Sequence, residues 1–106
     1  MKLIEFLGDS RKRIQAFPEG VRADLGRQLM RVQFGTEPAD WKPMATVGPG
    51  VREIRVRDET GAYRVIYVAN VDDRIYVLHA FKKTTQKTSQ QDLNVANARF
   101  KSIGRN

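Results

Sequence analysis

The 106-residue chain contains no cysteine and carries a net charge of +7, with a sequence pI of about 10.1. This length suits one domain over 1–106 with a modest core, and the lack of cysteine excludes a disulfide framework and thiol nucleophiles. No apolar run reaches membrane-spanning length, and Glu5 and Asp9 interrupt the N-terminal run too early for a signal peptide, so we expect a cytoplasmic protein.

The first third of the chain predicts one strand followed by two helices. Residues 2–7 favour a strand with Ile4 and Phe6 on one face, and a turn at 8–10 leads into a short helix over roughly 10–17 that ends before Pro18. A second helix reaches Gly35, because its apolar residues recur at helical spacing: Val21, Leu25, Leu29 and Val32. We interpret the pair as a helical hairpin that provides half of the core.

The remainder predicts a three-stranded meander and a final helix. Residues 36–50 form a long irregular connection, which Trp41 and Met44 are expected to anchor. From residue 51 the apolar period changes to two, and turns at 58–61 and 72–73 separate strands over 51–57, 62–71 and 75–81. Thr88 or Ser89 can cap a helix whose apolar stripe is Leu93, Ala96, Phe100 and Ile103.

These elements predict an α+β domain whose small, antiparallel-rich, four-stranded sheet packs against the N-terminal helical hairpin and carries a C-terminal helix. The predicted core residues are Ile4, Phe6, Leu25, Leu29, Ile54, Ile66 and Leu78.

Positive charge is concentrated in the last quarter of the chain. Residues 79–106 hold six basic residues and one acidic residue, a net charge of +5, whereas residues 1–78 carry only +2. Such a distribution is typical of a phosphate-binding surface. The alternative is a solvated basic face that only aids solubility.

Most catalytic chemistries lack the residues that they require. His79 is the only histidine, no phosphate-binding glycine motif follows a strand, and no carboxylate cluster suggests a two-metal nuclease, so we predict neither metal nor cofactor. Arg55 and Arg64 stand among apolar residues in the middle of strands, where each needs a carboxylate, for which Glu53 and Glu5 are available, or faces a surface open to a charged ligand. With RNA, whose 2′-hydroxyl is a built-in nucleophile, arginines and a lysine of lowered pKa would suffice.

Several short motifs occur in a distinctive order along the chain. They are KPM at 42–44, GxxExR at 50–55, YRVIY at 63–67, HAFKK at 79–83 and QKT at 86–88. Together with the order of elements, they resemble the RelE/ParE toxin superfamily, and within it the phage-derived, HigB-like branch. The resemblance covers essentially the whole chain.

The resemblance implies a RelE-like fold and the toxin of a toxin–antitoxin pair, an endoribonuclease that cleaves mRNA in the ribosomal A site without a metal. It implies that Arg55 and Arg64 contact and neutralise the scissile phosphate, and that Lys82 and Lys83 are catalytic basic residues. His79 is either a proton carrier or a hydrogen-bonded strand residue, and we favour the structural interpretation. We assign RNA contacts to Tyr67, Gln86, Lys87, Thr88 and Arg99.

The expected partners are the ribosome, mRNA and a cognate antitoxin. The antitoxin is expected to be a helix-turn-helix protein with an acidic or helical segment over residues 79–106, and no membrane is involved. Relatives with the same fold poison DNA gyrase. The alternative is therefore a non-enzymatic binder, either a gyrase poison or a basic phage accessory protein that binds nucleic acid.

Overall fold

The structure, a computed structural model, describes residues 1–103 and confirms the α+β class. Within that range, five strands and three helices follow one another in this order: β1 (Leu3–Phe6), α1 (Ser10–Gln15), α2 (Glu19–Gln33), β2 (Trp41–Pro43), β3 (Val51–Asp58), β4 (Gly61–Val71), β5 (Arg74–Lys83) and α3 (Gln90–Ser102). None of these described helices is both long and apolar enough to cross a membrane.

The sheet has the strand order β1-β5-β4-β3-β2, with β1 parallel to β5 and the other neighbours antiparallel. The predicted count of four strands was wrong for the described chain, because Trp41–Pro43, inside the predicted irregular connection, pairs with β3 as a fifth strand. A strand of three residues shows no alternation that could be recognised in the sequence. Its place at the edge of the sheet explains why it tolerates Pro43: proline has no backbone N–H to donate, and one side of an edge strand has no partner strand that would need that donor.

The sheet separates two apolar cores. On one face, which we call the hairpin face, Leu25 and Leu29 of α2 pack against Ile54 of β3, with Ile4 and Phe6 partly buried beside them. On the opposite face, the α3 face, a second buried cluster contains Ile66, Leu78, Met44, Ala96 and Phe100. All seven predicted core residues are therefore buried or partly buried, but they belong to two layers because alternate residues of a strand point to opposite faces.

A β-bulge in β5 decides which side chains reach the α3 face. Ile66 pairs with His79 whereas Tyr67 pairs with Val77, so Leu78 is one residue extra on β5. As a result Leu78 joins the core under α3 and the next residue, His79, also contacts α3. The bulge therefore shifts the alternation of every later residue in β5.

Candidate functional site

Basic side chains from three strands lie at one end of the α3 face. Arg55 of β3 lies directly opposite Arg64 of β4, and Lys83 ends the neighbouring strand β5. With the following segment they line an open cleft of about 540 Å³, which we call the basic cleft: Arg55, Arg57, Ala62, Arg64, Lys83, Thr84, Thr85 and Gln86. Like charges placed opposite one another destabilise a sheet. The arrangement therefore favours a bound anion, which would relieve that repulsion.

Arg64 is held rigidly at the bottom of this cleft. Its side chain is only 3% exposed, its Nε lies 3.5 Å from Oε1 of the fully buried Glu53, and its Nη1 donates to the carbonyl of Tyr63 at 3.1 Å. The other Glu53 carboxylate oxygen, Oε2, accepts a hydrogen bond of 3.0 Å from the hydroxyl of Thr88. Burial lowers the pKa of Arg64, while Glu53 opposes that shift, and a guanidinium stays charged over the physiological range. Arg64 thus has a buried carboxylate partner and also lines the bottom of an open cleft.

The two adjacent lysines at the end of β5 point to opposite faces. Lys83 is half-buried in the basic cleft, where burial and then the nearby charge of Arg64 lower the pKa of its ammonium group. Lys82 lies on the hairpin face, with its Nζ 5.9 Å from the ring centroid of Tyr63. The structure therefore brings Lys83 together with the arginines and does not bring Lys82 there.

The predicted residues of the QKT motif gather beside the cleft. Gln86 lines the basic cleft and also a second cavity of about 370 Å³, whose lining is Lys42, Pro43, Met44, Ala45, Thr46, Gln86, Lys87, Thr88 and Leu93. Lys87 is exposed at this second cavity, and its carbonyl accepts a hydrogen bond from the hydroxyl of Thr85. The hydroxyl of Thr88 donates a hydrogen bond to the buried Glu53, and it thereby helps to fix the carboxylate that pairs with Arg64.

Two of the predicted RNA contacts lie elsewhere in the molecule. Tyr67 is 1% exposed and belongs to the core of the hairpin face, where burial raises the pKa of its hydroxyl. Arg99 bridges α3 to the start of α1, donating to Oδ1 of Asp9 at 2.8 Å and to the carbonyl of Leu78 at 3.0 Å. Hydrogen bonds from Arg99 and Arg13 lower the pKa of Asp9 to about 2. Tyr67 and Arg99 therefore stabilise the fold, and neither lines the basic cleft.

His79 is buried between the sheet and α3. It is 1% exposed, its Nε2 lies 2.7 Å from Oδ1 of Asp92, and its ring stacks on Phe81 with centroids 5.3 Å apart. Burial lowers the pKa of His79 even though Asp92 opposes the shift, which favours a neutral ring that donates Nε2–H to the carboxylate. Of the two predicted caps, Thr88 and Ser89, Ser89 caps the same helix, since its hydroxyl oxygen accepts from the backbone N–H of Asp92. This geometry matches the structural interpretation of His79, which anchors the first turn of α3 to the sheet.

Two charged residues of the site were missing from the sequence-based assignment of site residues. Glu53 and Arg57 lie on the same face of β3 as Arg55, two residues away on either side, so strand alternation alone was a usable signal for both. Among residues 1–103, no three histidine or acidic side chains lie close enough together to hold a metal ion. The groups that this site offers are thus cationic and hydrogen-bonding donors with one buried carboxylate.

One family model matches the chain. Its description is "Phage derived protein Gp49-like (DUF891)", and the match covers residues 12–101, which includes all residues of the basic cleft. No curated protein matches the chain.

Proposed function

Because the chain belongs to the Gp49-like family of phage-derived proteins, which is part of the RelE/HigB-like toxin group, we propose that it is the toxin of a toxin–antitoxin pair. It acts in the cytoplasm as a HigB-like, metal-independent endoribonuclease that cleaves mRNA on the ribosome. The observation that carries this proposal is the cluster of Arg55, Arg64 and Lys83 in an open cleft above the buried Glu53.

The two arginines form the phosphate site. Arg55 and Arg64 are direct cross-strand neighbours, so their guanidinium groups can contact one phosphate together. Glu53 and the carbonyl of Tyr63 already hold Arg64 in place, and no reorganisation is needed when charge builds up on the phosphate oxygens. Such preorganised charge is usually a large part of enzymatic rate enhancement.

Lys83 acts as the general base. The 2′-oxygen forms a bond to phosphorus as the bond to the 5′-oxygen breaks, which gives a 2′,3′-cyclic phosphate and a 5′-hydroxyl end. A neutral Lys83 amine takes the proton of the 2′-hydroxyl, and the departing 5′-oxygen, which lies on the opposite side of the phosphorus, takes a proton from water. The lowered pKa of Lys83 makes the neutral amine more accessible at physiological pH than in an ordinary lysine.

The ribosome supplies what this small site lacks. The basic cleft has no second acid–base side chain, because His79 is buried under α3. Cleavage therefore depends on the mRNA being held in the geometry for in-line attack, which is the contribution of a bound, oriented substrate. We expect naked RNA to be cut slowly or not at all.

Mapping of RNA ends tests this function. Purified protein is incubated with naked mRNA and with the same mRNA on translating ribosomes, and new 5′-hydroxyl ends are sequenced. Ends are expected only with ribosomes, and Lys101→Ala, which changes an exposed lysine of α3 outside the cleft, should behave as wild type. Equal cutting of naked RNA would contradict the ribosome dependence. Intact mRNA with accumulating DNA breaks after induction would replace the nuclease with a gyrase poison.

A further inference from the structure

The second cavity beside the basic cleft combines an apolar floor with a polar rim. We call it the apolar hollow. Its floor is formed by Met44, which is 7% exposed, together with the half-buried Leu93 of α3, and the exposed Pro43 adds apolar surface at its edge. Its rim carries Lys42, Gln86 and Lys87. Pockets of this kind, lined mostly by apolar groups with a few polar ones, are typical of sites for small ligands.

The apolar hollow continues directly from the basic cleft. Gln86 lines both cavities, so one side chain stands at their junction. Lys42 lies opposite Glu53 across the β2–β3 pairing, on the same face as the arginines. It is close enough to Lys83 for its charge to contribute to the lowered pKa of that lysine. A ligand that extends out of the cleft past Gln86 therefore enters the hollow.

We propose that the apolar hollow binds the nucleobase that flanks the phosphate held in the basic cleft. This proposal rests on the proposed function, because it takes single-stranded RNA as the ligand of the cleft. Proteins that recognise single-stranded RNA turn bases out, pack against their faces and form hydrogen bonds to their edges. Met44 and Leu93 pack against the faces of the base, the amide of Gln86 donates to and accepts from its edge, and Lys42 and Lys87 contact the adjoining phosphate.

Methionine methyl groups provide a direct probe of this binding. The chain has three methionines, of which Met44 lines the hollow while Met1 and Met30 are 80% and 55% exposed at other places. Full-length protein with ¹³C-labelled methionine methyl groups is titrated with a 2′-O-methylated trinucleotide, which cannot be cleaved. The same titration is run with an otherwise identical trinucleotide that has an abasic flanking position. The Met44 resonance is expected to shift with the complete trinucleotide and not with the abasic one, while Met1 and Met30 stay unchanged.

A substitution at the junction provides the second measurement. Gln86 is exposed, so Gln86→Ala should fold normally, and it is expected to weaken the Met44 response by about tenfold in apparent affinity, as the loss of a hydrogen-bonding group to a base can do. Gln91→Ala, an exposed glutamine of α3 that lines neither cavity, is the matched control and should have no effect.

The inference is overturned if the Met44 resonance does not shift, or if it shifts equally with the abasic trinucleotide. It is also overturned if Gln86→Ala binds as wild type does. Because the trinucleotide cannot be cut, this result is independent of the ribosome experiment. A failure of the base-binding site and a failure of the proposed nuclease activity are therefore distinguished.

Discussion

The adjacent lysines at the end of β5 allow a stringent test of the site. Lys82 and Lys83 have the same chemistry and the same charge, and they are neighbours in the sequence. They differ in the face to which they point, since Lys83 lines the basic cleft and Lys82 lies near Tyr63 on the hairpin face. Single substitutions of each by alanine therefore change net charge equally and differ only in position.

The expected magnitudes differ strongly between the two variants. Removing a preorganised charge or a proton carrier from a reaction centre lowers the rate by roughly 100- to 1000-fold, which corresponds to about 3–4 kcal/mol of transition-state stabilisation. Lys83→Ala should show that loss. Lys82→Ala removes a peripheral charge and a cation–π contact that lies at the limit of the effective distance. The loss of that contact should cost at most about 0.5–1 kcal/mol of free energy.

The pH dependence separates a proton carrier from a mere phosphate contact. Because the pKa of Lys83 is lowered, the fraction of neutral amine rises as the pH approaches that pKa from below. The cleavage rate should therefore increase with pH and be lost on acidification. Lys83→Arg keeps the positive charge but cannot release a proton, so it should bind RNA and remain inactive at every pH.

The assay combines growth arrest on induction with ribosome-dependent cleavage by the purified variants, after circular dichroism has shown that each is folded. Equal losses for Lys82→Ala and Lys83→Ala would refute the division of the two lysines between faces. A fully active Lys83→Arg would show that Lys83 acts through its charge and carries no proton.

Four further predictions concern the fold and the rest of the site. Arg64→Ala should abolish growth arrest in a folded protein. Arg64→Lys should remain severely impaired, because lysine lacks the planar guanidinium group that can contact the phosphate and the buried carboxylate together. A folded Arg64→Ala variant that arrests growth at wild-type dose would contradict the assignment. His79→Gln should retain toxicity while lowering thermal stability, and a stable but inactive variant would show a catalytic role instead. Leu29→Ala should cost about 2–5 kcal/mol in urea unfolding, whereas Met30→Ala, its exposed neighbour in α2, should stay within about 0.5 kcal/mol. The pKa of Asp9 is lowered from 3.8 to about 2 in the folded state, so the stability from its pairing with Arg99 is present above pH 3.8 and is lost as the pH falls toward 2. In Asp9→Asn, the free energy of unfolding should depend less on pH in that window. An unchanged pH dependence would contradict this linkage.

Local sequence patterns were sufficient for most of the secondary structure. Alternation of period two predicted β3, β4 and β5, helical spacing of apolar residues predicted α2, and Ser89 was recognised as one of two possible caps of α3. These features depend on interactions between residues close together in the chain. They can therefore be recognised without knowledge of the tertiary fold.

The mid-strand arginines were expected to have either a carboxylate partner or an open surface. A charge among apolar neighbours needs a partner, and Glu53 and Glu5 were the two candidates, of which Glu5 pairs with Arg74 instead. The structure pairs Arg64 with Glu53 and places Arg55 directly opposite Arg64. Sequence alone left open whether these arginines had a carboxylate or an open surface, and the structure provides both for Arg64.

Tertiary structure decided which residues share a surface. The β-bulge at Leu78 reverses the alternation of β5, and it thereby sends Lys83 to the arginines and Lys82 to the opposite face. Pairing between distant segments added β2 to the sheet, and it drew Tyr67 into a core and Arg99 onto Asp9. A bulge, an edge pairing and an ion pair between residues 90 positions apart each depend on backbone geometry set by the whole fold. No local pattern of residue types encodes them, because the free energy that selects them comes from contacts that exist only once the chain is packed.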